Sequence, residues 1–311
     1  MITTQTVLVL GAGVSIPYGF PSGGELINTV LENLDGWRNI FCEHGIQEKL
    51  IGEFYQELRL SQQLSIDAFL ENRPEFLSIG KLSIALSLFP CENEKSLFEL
   101  GKQNKGCYRY LFSKLSIGWE EFGDNKVSII TFNYDRSLEQ FLFTAIKHSY
   151  GKSDEQCAEV LGRIPIVHVH GSLGSLPWQS QNSKPYNSDY SEMDLSRAIE
   201  RIIVISEGHE NSPEFQQAKQ IMEEAKRRYF LGFGYHPKNI QRLDVLKLQS
   251  IGRQPISDVH GSTIDYNYTA IGSAYGLEDS EIISILKIWK IFLPDPVSDS
   301  LSFLRRNAEL D

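Results

Sequence analysis

The feature that most constrains this chain is an alternation of short apolar strands with helical patterns, most strands running straight into a glycine-rich or polar motif. Thr6-Val7-Leu8-Val9-Leu10 is a near-continuous apolar run of strand length, the pattern of a strand covered on both faces. Further runs predict strands over 127–131, 164–169, 201–205, 229–231 and 263–271. Between them, Ser22 and Glu25 stand at capping-box spacing ahead of Leu26, Ile27, Val30, Leu31 and Leu34, which predicts a helix over 22–34. Helical spacing also covers 137–148, 279–291 and 212–228, the last opened by Ser212-Pro213. Strands that alternate with helices pair in parallel. The expected fold is therefore α/β, a doubly wound, mostly parallel Rossmann-type sheet, with one domain over 1–311. Two stretches stand outside the alternation: residues 35–122 read as a helical insert, and 178–194 as a polar surface loop.

Four motifs follow predicted strands directly: Gly11-Ala12-Gly13-Val14-Ser15, Phe132-Asn133-Tyr134-Asp135, His170-Gly171-Ser172 and Gly232-Phe233-Gly234-Tyr235. In an open parallel sheet, ligands bind outside the carboxyl ends of the strands, where strand order reverses. All four would line one crevice. Gly11 and Gly13 permit close backbone approach to a pyrophosphate, but position 16 is Ile, not a third glycine, and by itself the motif equally suits a tight turn. Asn133 and Asp135 share one side of an extended segment; an amide beside a carboxylate suits ribose hydroxyls, a carboxamide or a water, or an Asx cap on the next helix. His170 ends its strand, where a neutral imidazole can act as a base near pH 7. His168, one step deeper on the same face, reads as structural. His44, His148, His209, His236 and His260 read as surface or packing residues; His260-Gly261-Ser262 repeats the tripeptide ahead of its strand and should miss the crevice. Asp35, about 20 residues past the glycine loop, follows a helix and makes a poor ribose-binding acid.

Composition removes other classes. The formal net charge is −10, which disfavours binding to phosphate backbones, so direct nucleic-acid binding is not expected. No apolar run approaches the roughly 20 residues of a membrane span. The N-terminus has no basic, secretory-type leader, and the four cysteines (Cys42, Cys91, Cys107, Cys157) form no CxxC pair. A cytoplasmic setting with reduced thiols and no bound metal is the expectation.

Taken together, the motifs resemble the sirtuin family, and within it the sirtuin-like NADases of bacterial anti-phage defence. The family's GAGxS loop matches Gly11-Ala12-Gly13-Val14-Ser15, its T-x-N-x-D motif Thr131-Phe132-Asn133-Tyr134-Asp135, and its HGS motif His170-Gly171-Ser172. Gly232-Phe233-Gly234-Tyr235 looks like the late glycine motif; residues 65–70 and the run 272–277 look like the defence branch. The similarity runs in family order along essentially the whole chain. It departs from the sirtuin deacylases twice: the four-cysteine zinc module is absent, and where they carry Pro-Asp-Phe-Arg this chain has Phe20-Pro21-Ser22-Gly23-Gly24.

The resemblance implies that NAD is bound as a substrate and its nicotinamide–ribose bond hydrolysed, with no zinc. Asn133 would hold the nicotinamide ribose and position a water, and His170 would act as general base. Gly11, Ala12, Gly13, Ser15, Thr131, Asp135, Gly171, Gly232 and Gly234 would line the nucleotide site, with Asp135 orienting the carboxamide or the loop. It further implies a regulated NAD-depleting effector that forms homo-oligomers and works beside a partner such as a HerA-like ATPase. The aromatic residues of the insert (Phe54, Tyr55, Phe69, Phe76, Phe89, Phe98, Tyr108, Tyr110) offer a candidate assembly surface, although most of them suit a core equally well. A protein deacylase, an idle NAD or ADP-ribose sensor and a plain scaffold subunit are the alternatives.

Overall fold

The computed structural model describes residues 1–99, 106–204, 212–257, 263–273, 277–294 and 299–311. Six parallel strands form the central sheet: β1 (Thr6–Leu10), β2 (Val127–Thr131), β3 (Ile166–His168), β4 (Arg227–Leu231), β7 (Ala270–Gly272) and β8 (Ile291–Phe292). Their order is β3-β2-β1-β4-β7-β8. The chain thus moves outward from β1 to β3, then returns to the other side of β1 at β4. Strand order reverses there, so β1 and β4 flank the switch point where parallel sheets open a crevice. A separate antiparallel hairpin, β5 (Gly252–Ser257) and β6 (Thr263–Tyr268), was not foreseen. The strand expected over 263–271 divides into β6 and β7, one in each sheet.

The sheet is buried on both sides because its strands are apolar at successive positions. Leu8, Leu10, Ile129 and Leu231 face the larger core, shared with α1 (Gly23–Asn33) and the insert helices α2 (Arg38–Glu43), α3 (Glu48–Ser61), α4 (Ile66–Asn72), α5 (Leu77–Leu88), α6 (Glu94–Phe98) and α7 (Tyr108–Leu115). Helix α8 (Ser137–Tyr150), α9 (Asp154–Leu161), α10 (Glu192–Arg201) and α14 (Ser300–Asn307) complete that side. Val7, Val9, Ile130, Val167 and Phe230 face a second core with α11 (Pro213–Glu224), α12 (Pro237–Arg242) and α13 (Asp279–Trp289). The described elements between 35 and 122 are all helical, as the spacing predicts.

Two of the expected elements differ in the structure. Residues 201–204 are not a strand: α10, capped by Ser191 and Asp194, runs through Arg201, and Ile203 N–H then donates to His170 O at 2.9 Å. The amphipathic pattern of 192–201 outweighs the short β-branched run behind it. Helix α11 stops at Glu224, because Arg227 and Arg228 already pair with β1. The 178–194 segment is irregular up to α10 and mostly exposed, as its polar composition predicts, but it is anchored by buried Lys184 and Tyr186 and by Trp178, stacked on Phe143 at 4.9 Å. Among the described residues no helix is long and apolar enough to cross a membrane.

Candidate active site

The four motifs do reach one edge of the sheet, since β1, β2, β3 and β4 run parallel. The two glycine loops meet first. Gly11 N–H donates to Leu231 O and Gly13 N–H to Gly232 O, both at 3.0 Å. A methyl on Gly11 would stand 2.5 Å from Gly232 O, and one on Gly232, which has φ +56°, would stand 2.4 Å from Val14 N. These glycines allow backbone to pack on backbone. Four N–H groups of the 11–15 loop, those of Gly11, Gly13, Val14 and Ser15, are committed within the protein. A helix does not follow it at once; two 3-10 turns (Ala12–Val14, Ile16–Tyr18) separate it from α1. Gly234 sits in open, exposed space. Gly171, at φ +68°, passes so close to Arg201 O that a methyl would stand 1.7 Å from it.

The asparagine motif is built onto this lock. Asn133 Nδ2 donates to Gly11 O at 3.1 Å and to Ser15 Oγ at 3.0 Å, while its N–H donates to Thr131 Oγ1. Both amide hydrogens are therefore fixed, which fixes the amide plane and turns Oδ1 away from the loop. Among the described residues no hydrogen bond reaches that Oδ1. Asp135 lies beneath: Oδ2 accepts from Ser15 Oγ at 2.7 Å, and Oδ1 accepts from the Ser137 N–H and hydroxyl at the start of α8. Burial raises the Asp135 carboxyl above its ordinary range, against the pull of its Ser137 and Ser15 hydrogen bonds. Both Asp135 oxygens are thus engaged by the glycine loop and the start of α8. Tyr108 of α7, stacked on Tyr18 at 4.1 Å, meets Ser137 Oγ at 2.8 Å, so the insert supports the same network. Sequence spacing gave no hint of Tyr108.

The two histidines separate, which corrects their assignment to one face. His168 turns to α8, its Nδ1 2.9 Å from Asn133 O and its Nε2 2.5 Å from Glu139. Burial opposes its positive charge, but Glu139 and the Asn133 carbonyl outweigh that and raise its pKa. It is structural, as read from sequence, and what it holds is the Asn133 backbone. His170 turns to the other side of the sheet and is only 4% exposed. Its ring lies 5.2 Å from Phe132 and 5.7 Å from Phe215 by centroids, and Phe233 closes on Phe132 at 4.9 Å. Desolvation in this cage, with Arg242 nearby, pushes its pKa down to about 3.

Opposite pH responses follow. The neutral His170 contributes stability above its unfolded pKa near 6.5, and this is lost as pH falls toward about 3. His168 contributes stability that is full below about 6.5 and lost as pH rises through its raised value. An imidazole nitrogen NMR spectrum at pH 5 is expected to show His170 neutral and His168 protonated. A protonated His170 at that pH would mean that its cage admits water.

Two ionic features frame the site. Asp67 and Glu71, four residues apart on α4, face the same way. Asp67 accepts a hydrogen bond from the Tyr134 hydroxyl, and Glu71 pairs with Lys238 of α12. One insert helix is therefore tied to the loop after β2 and to the helix after β4. Next to Asp135, Arg136 is fully buried and forks onto Glu92 at 2.6 and 2.8 Å; Lys184 meets the same carboxylate at 3.0 Å. Arg136 Nη1 also donates to Ser175 O and Lys184 O.

Other sequence candidates fall away. Asp35 is exposed and pairs with Arg38. Phe54, Phe69, Phe76, Phe89 and Tyr108 are core, whereas Tyr55 and Tyr110 are half-buried and Phe98, the most exposed of the eight, stacks on Phe141. His209 and the 260–262 tripeptide lie outside the described residues, as do 274–276 of the 272–277 run. Gly272 and Ser273 of that run pack on the late glycine loop, Ser273 Oγ accepting from Gly232 N–H at 2.9 Å. Two cavities, of about 260 and 530 Å³, lie away from the motifs, one beside Arg109, Tyr110 and Arg305, the other along α11. Among the described residues no three His, Cys, Asp or Glu side chains converge as metal ligands, and the four cysteines are free thiols. No family model and no curated protein matches the chain.

Proposed function

We propose that the chain is an NAD hydrolase that cleaves the nicotinamide–ribose bond to give nicotinamide and ADP-ribose. The observation that carries this reading is Asn133: an amide whose two hydrogens are pinned to a glycine loop, leaving its oxygen uncommitted at the carboxyl edge of a parallel sheet. That oxygen accepts a hydrogen bond from a ribose hydroxyl or from the attacking water. In the reaction the C1′–N bond breaks and its electron pair passes to nicotinamide, which leaves neutral and needs no acid. Water forms the new bond to C1′, and its proton passes to the neutral His170 imidazole. The residues expected to line the nucleotide are those of the four loops, with Ser15, Asp135 and His168 acting behind Asn133.

The reading extends to a regulated, NAD-depleting effector of anti-phage defence, a homo-oligomer that a partner such as a HerA-like ATPase releases. What supports regulation is the enclosure of His170. His170 is sealed by Phe132 and Phe215, and α4 is tied to both rims through Asp67 and Glu71. A base at about 3 is too weak to be efficient near neutral pH, so work begins when the cage opens. Glu71→Gln is expected to raise basal NAD turnover several-fold and to speed amide hydrogen exchange over α12. Stability should change by only about 0–1 kcal/mol, because Lys238 is half exposed. Unchanged exchange together with unchanged turnover would remove the strap from the account.

Chromatography of NAD incubated with purified protein tests the activity itself. Nicotinamide and ADP-ribose in equal amounts are expected without any acyl-lysine peptide. A strict requirement for such a peptide, with O-acyl-ADP-ribose as product, would instead identify a deacylase.

A further inference from the structure

Asn133 is held by its backbone as well as by its amide, and the backbone hold is ionic. His168 Nδ1 lies 2.9 Å from Asn133 O, and its Nε2 lies 2.5 Å from the Glu139 carboxylate. Among the described residues no other hydrogen bond reaches Asn133 O. A backbone carbonyl has no hydrogen to give, so Nδ1 must donate. Nε2 and Glu139 then share one further proton, carried on the ring or on the carboxyl. A neutral imidazole facing an ionised carboxylate has a single hydrogen for two acceptors, and one contact is lost. Glu139 is buried, so a lost contact there is costly. The charged groups that face His168 are Glu139 of α8 and Asp135 of the loop after β2. Both are acidic and favour the proton, while burial opposes it.

We propose that the Glu139–His168 pair positions Asn133 only while it holds its shared proton, and that loss of this proton ends turnover at alkaline pH. The effect on turnover rests on the hydrolase reading; the pair itself rests on its hydrogen bonds. With the proton in place, the imidazole spans from α8 to the loop after β2. It fixes the Asn133 carbonyl, while the Asn133 N–H is fixed on Thr131 Oγ1. Backbone and amide are then held together, and Oδ1 keeps its aim. Without the proton, either the carbonyl loses its donor or the ring nitrogen and the carboxylate meet with lone pairs only. The loop must then shift, and a misplacement of about 1 Å at a reacting group can cost about 10²-fold in rate. The same turn carries the base. His170 must be free of a proton to work, whereas the pair must keep one. Two histidines two positions apart thus set opposite limits of one pH window, His170 the acid limb and His168 the alkaline limb.

Nitrogen NMR of the whole protein, together with pH–rate profiles for NAD turnover, tests this in wild type, Glu139→Gln and His168→Gln. In wild type the His168 nitrogens are expected to titrate above the ordinary histidine value of 6.5. Over the same range kcat should fall by about tenfold per pH unit. Glu139→Gln lets a neutral imidazole keep both contacts, because the Gln amide can donate to Nε2. Its kcat should stay level across that range, to within about twofold, a result that a merely structural role would not give. His168→Gln, which has no proton to lose, should be slow at every pH and also lack the alkaline limb. Circular dichroism checks that each variant is folded, and the wild-type titration decides the matter if one is not. An alkaline limb unchanged in Glu139→Gln would overturn the proposal. So would wild-type His168 nitrogens that titrate at or below 6.5. The two readings fail separately. A raised His168 titration that disappears in Glu139→Gln, without nicotinamide release at any pH, would keep the pair and remove the hydrolase. Nicotinamide release with no alkaline limb in wild type would do the reverse.

Discussion

Arg136→Met is expected to destabilise the protein by about 3–5 kcal/mol, the largest loss from any single polar side chain here, because it strands a buried carboxylate. Glu92 is wholly buried and neutralised by two cations, Arg136 through a two-bond fork and Lys184 through one contact. Removing the fork leaves Glu92 with Lys184 alone and deprives the carbonyls of Ser175, Lys184 and Pro185 of their shared donor. Those carbonyls belong to the segment that follows the His170 motif, so the triad joins the insert to β2 and to that segment. Urea unfolding with both far-UV and tryptophan signals checks the size, Trp178 reporting locally from its stack on Phe143. A loss below about 1 kcal/mol would mean that the pair is solvated in the folded protein.

Asn133→Ala and His170→Ala are each expected to lower nicotinamide release by about 10²–10⁴-fold, the range associated with losing a positioned base or an equivalent contact. The two should differ in binding. His170→Ala empties a cage of aromatic rings and should keep much of its ADP-ribose affinity. Asn133→Ala also releases Gly11 O and Ser15 Oγ, so affinity and rate should fall together. If the residues act as one unit, the double variant should be little slower than either single one. Turnover above about a hundredth of wild type in either folded variant would take that residue out of the chemistry.

Much of this could be read from the chain alone. The parallel sheet followed from apolar runs such as 6–10 and 127–131, whose burial on both faces leaves little alternative. The capping box at Ser22 and Glu25 formed as spacing required. Other features depended on pairings that no local pattern encodes. Glu92, Arg136 and Lys184 are far apart in sequence, so the polar run around 184 looked like solvent-exposed loop while its lysine sat at 5% exposure. The run at 201–205 had β-branched character, but a well-capped amphipathic helix claimed its first residue. In the candidate site, the motifs were legible because four of them follow strands of one parallel sheet and so share an edge. The face each side chain takes was not. His168 and His170 differ by two positions, yet the turn after β3 sends them to opposite sides of the sheet, one to Glu139 and the other to Phe215.

Asn133 and His170 are expected to serve one ligand across the edge of β2 and β3. A crystal structure of the Asn133→Ala variant with NAD bound tests it most directly. The nicotinamide ribose is expected between the loops after β2 and β3, with Phe132 or Phe215 displaced and the His170 imidazole facing the anomeric carbon. NAD seated elsewhere on the molecule, with His170 still enclosed by Phe132 and Phe215, would contradict it.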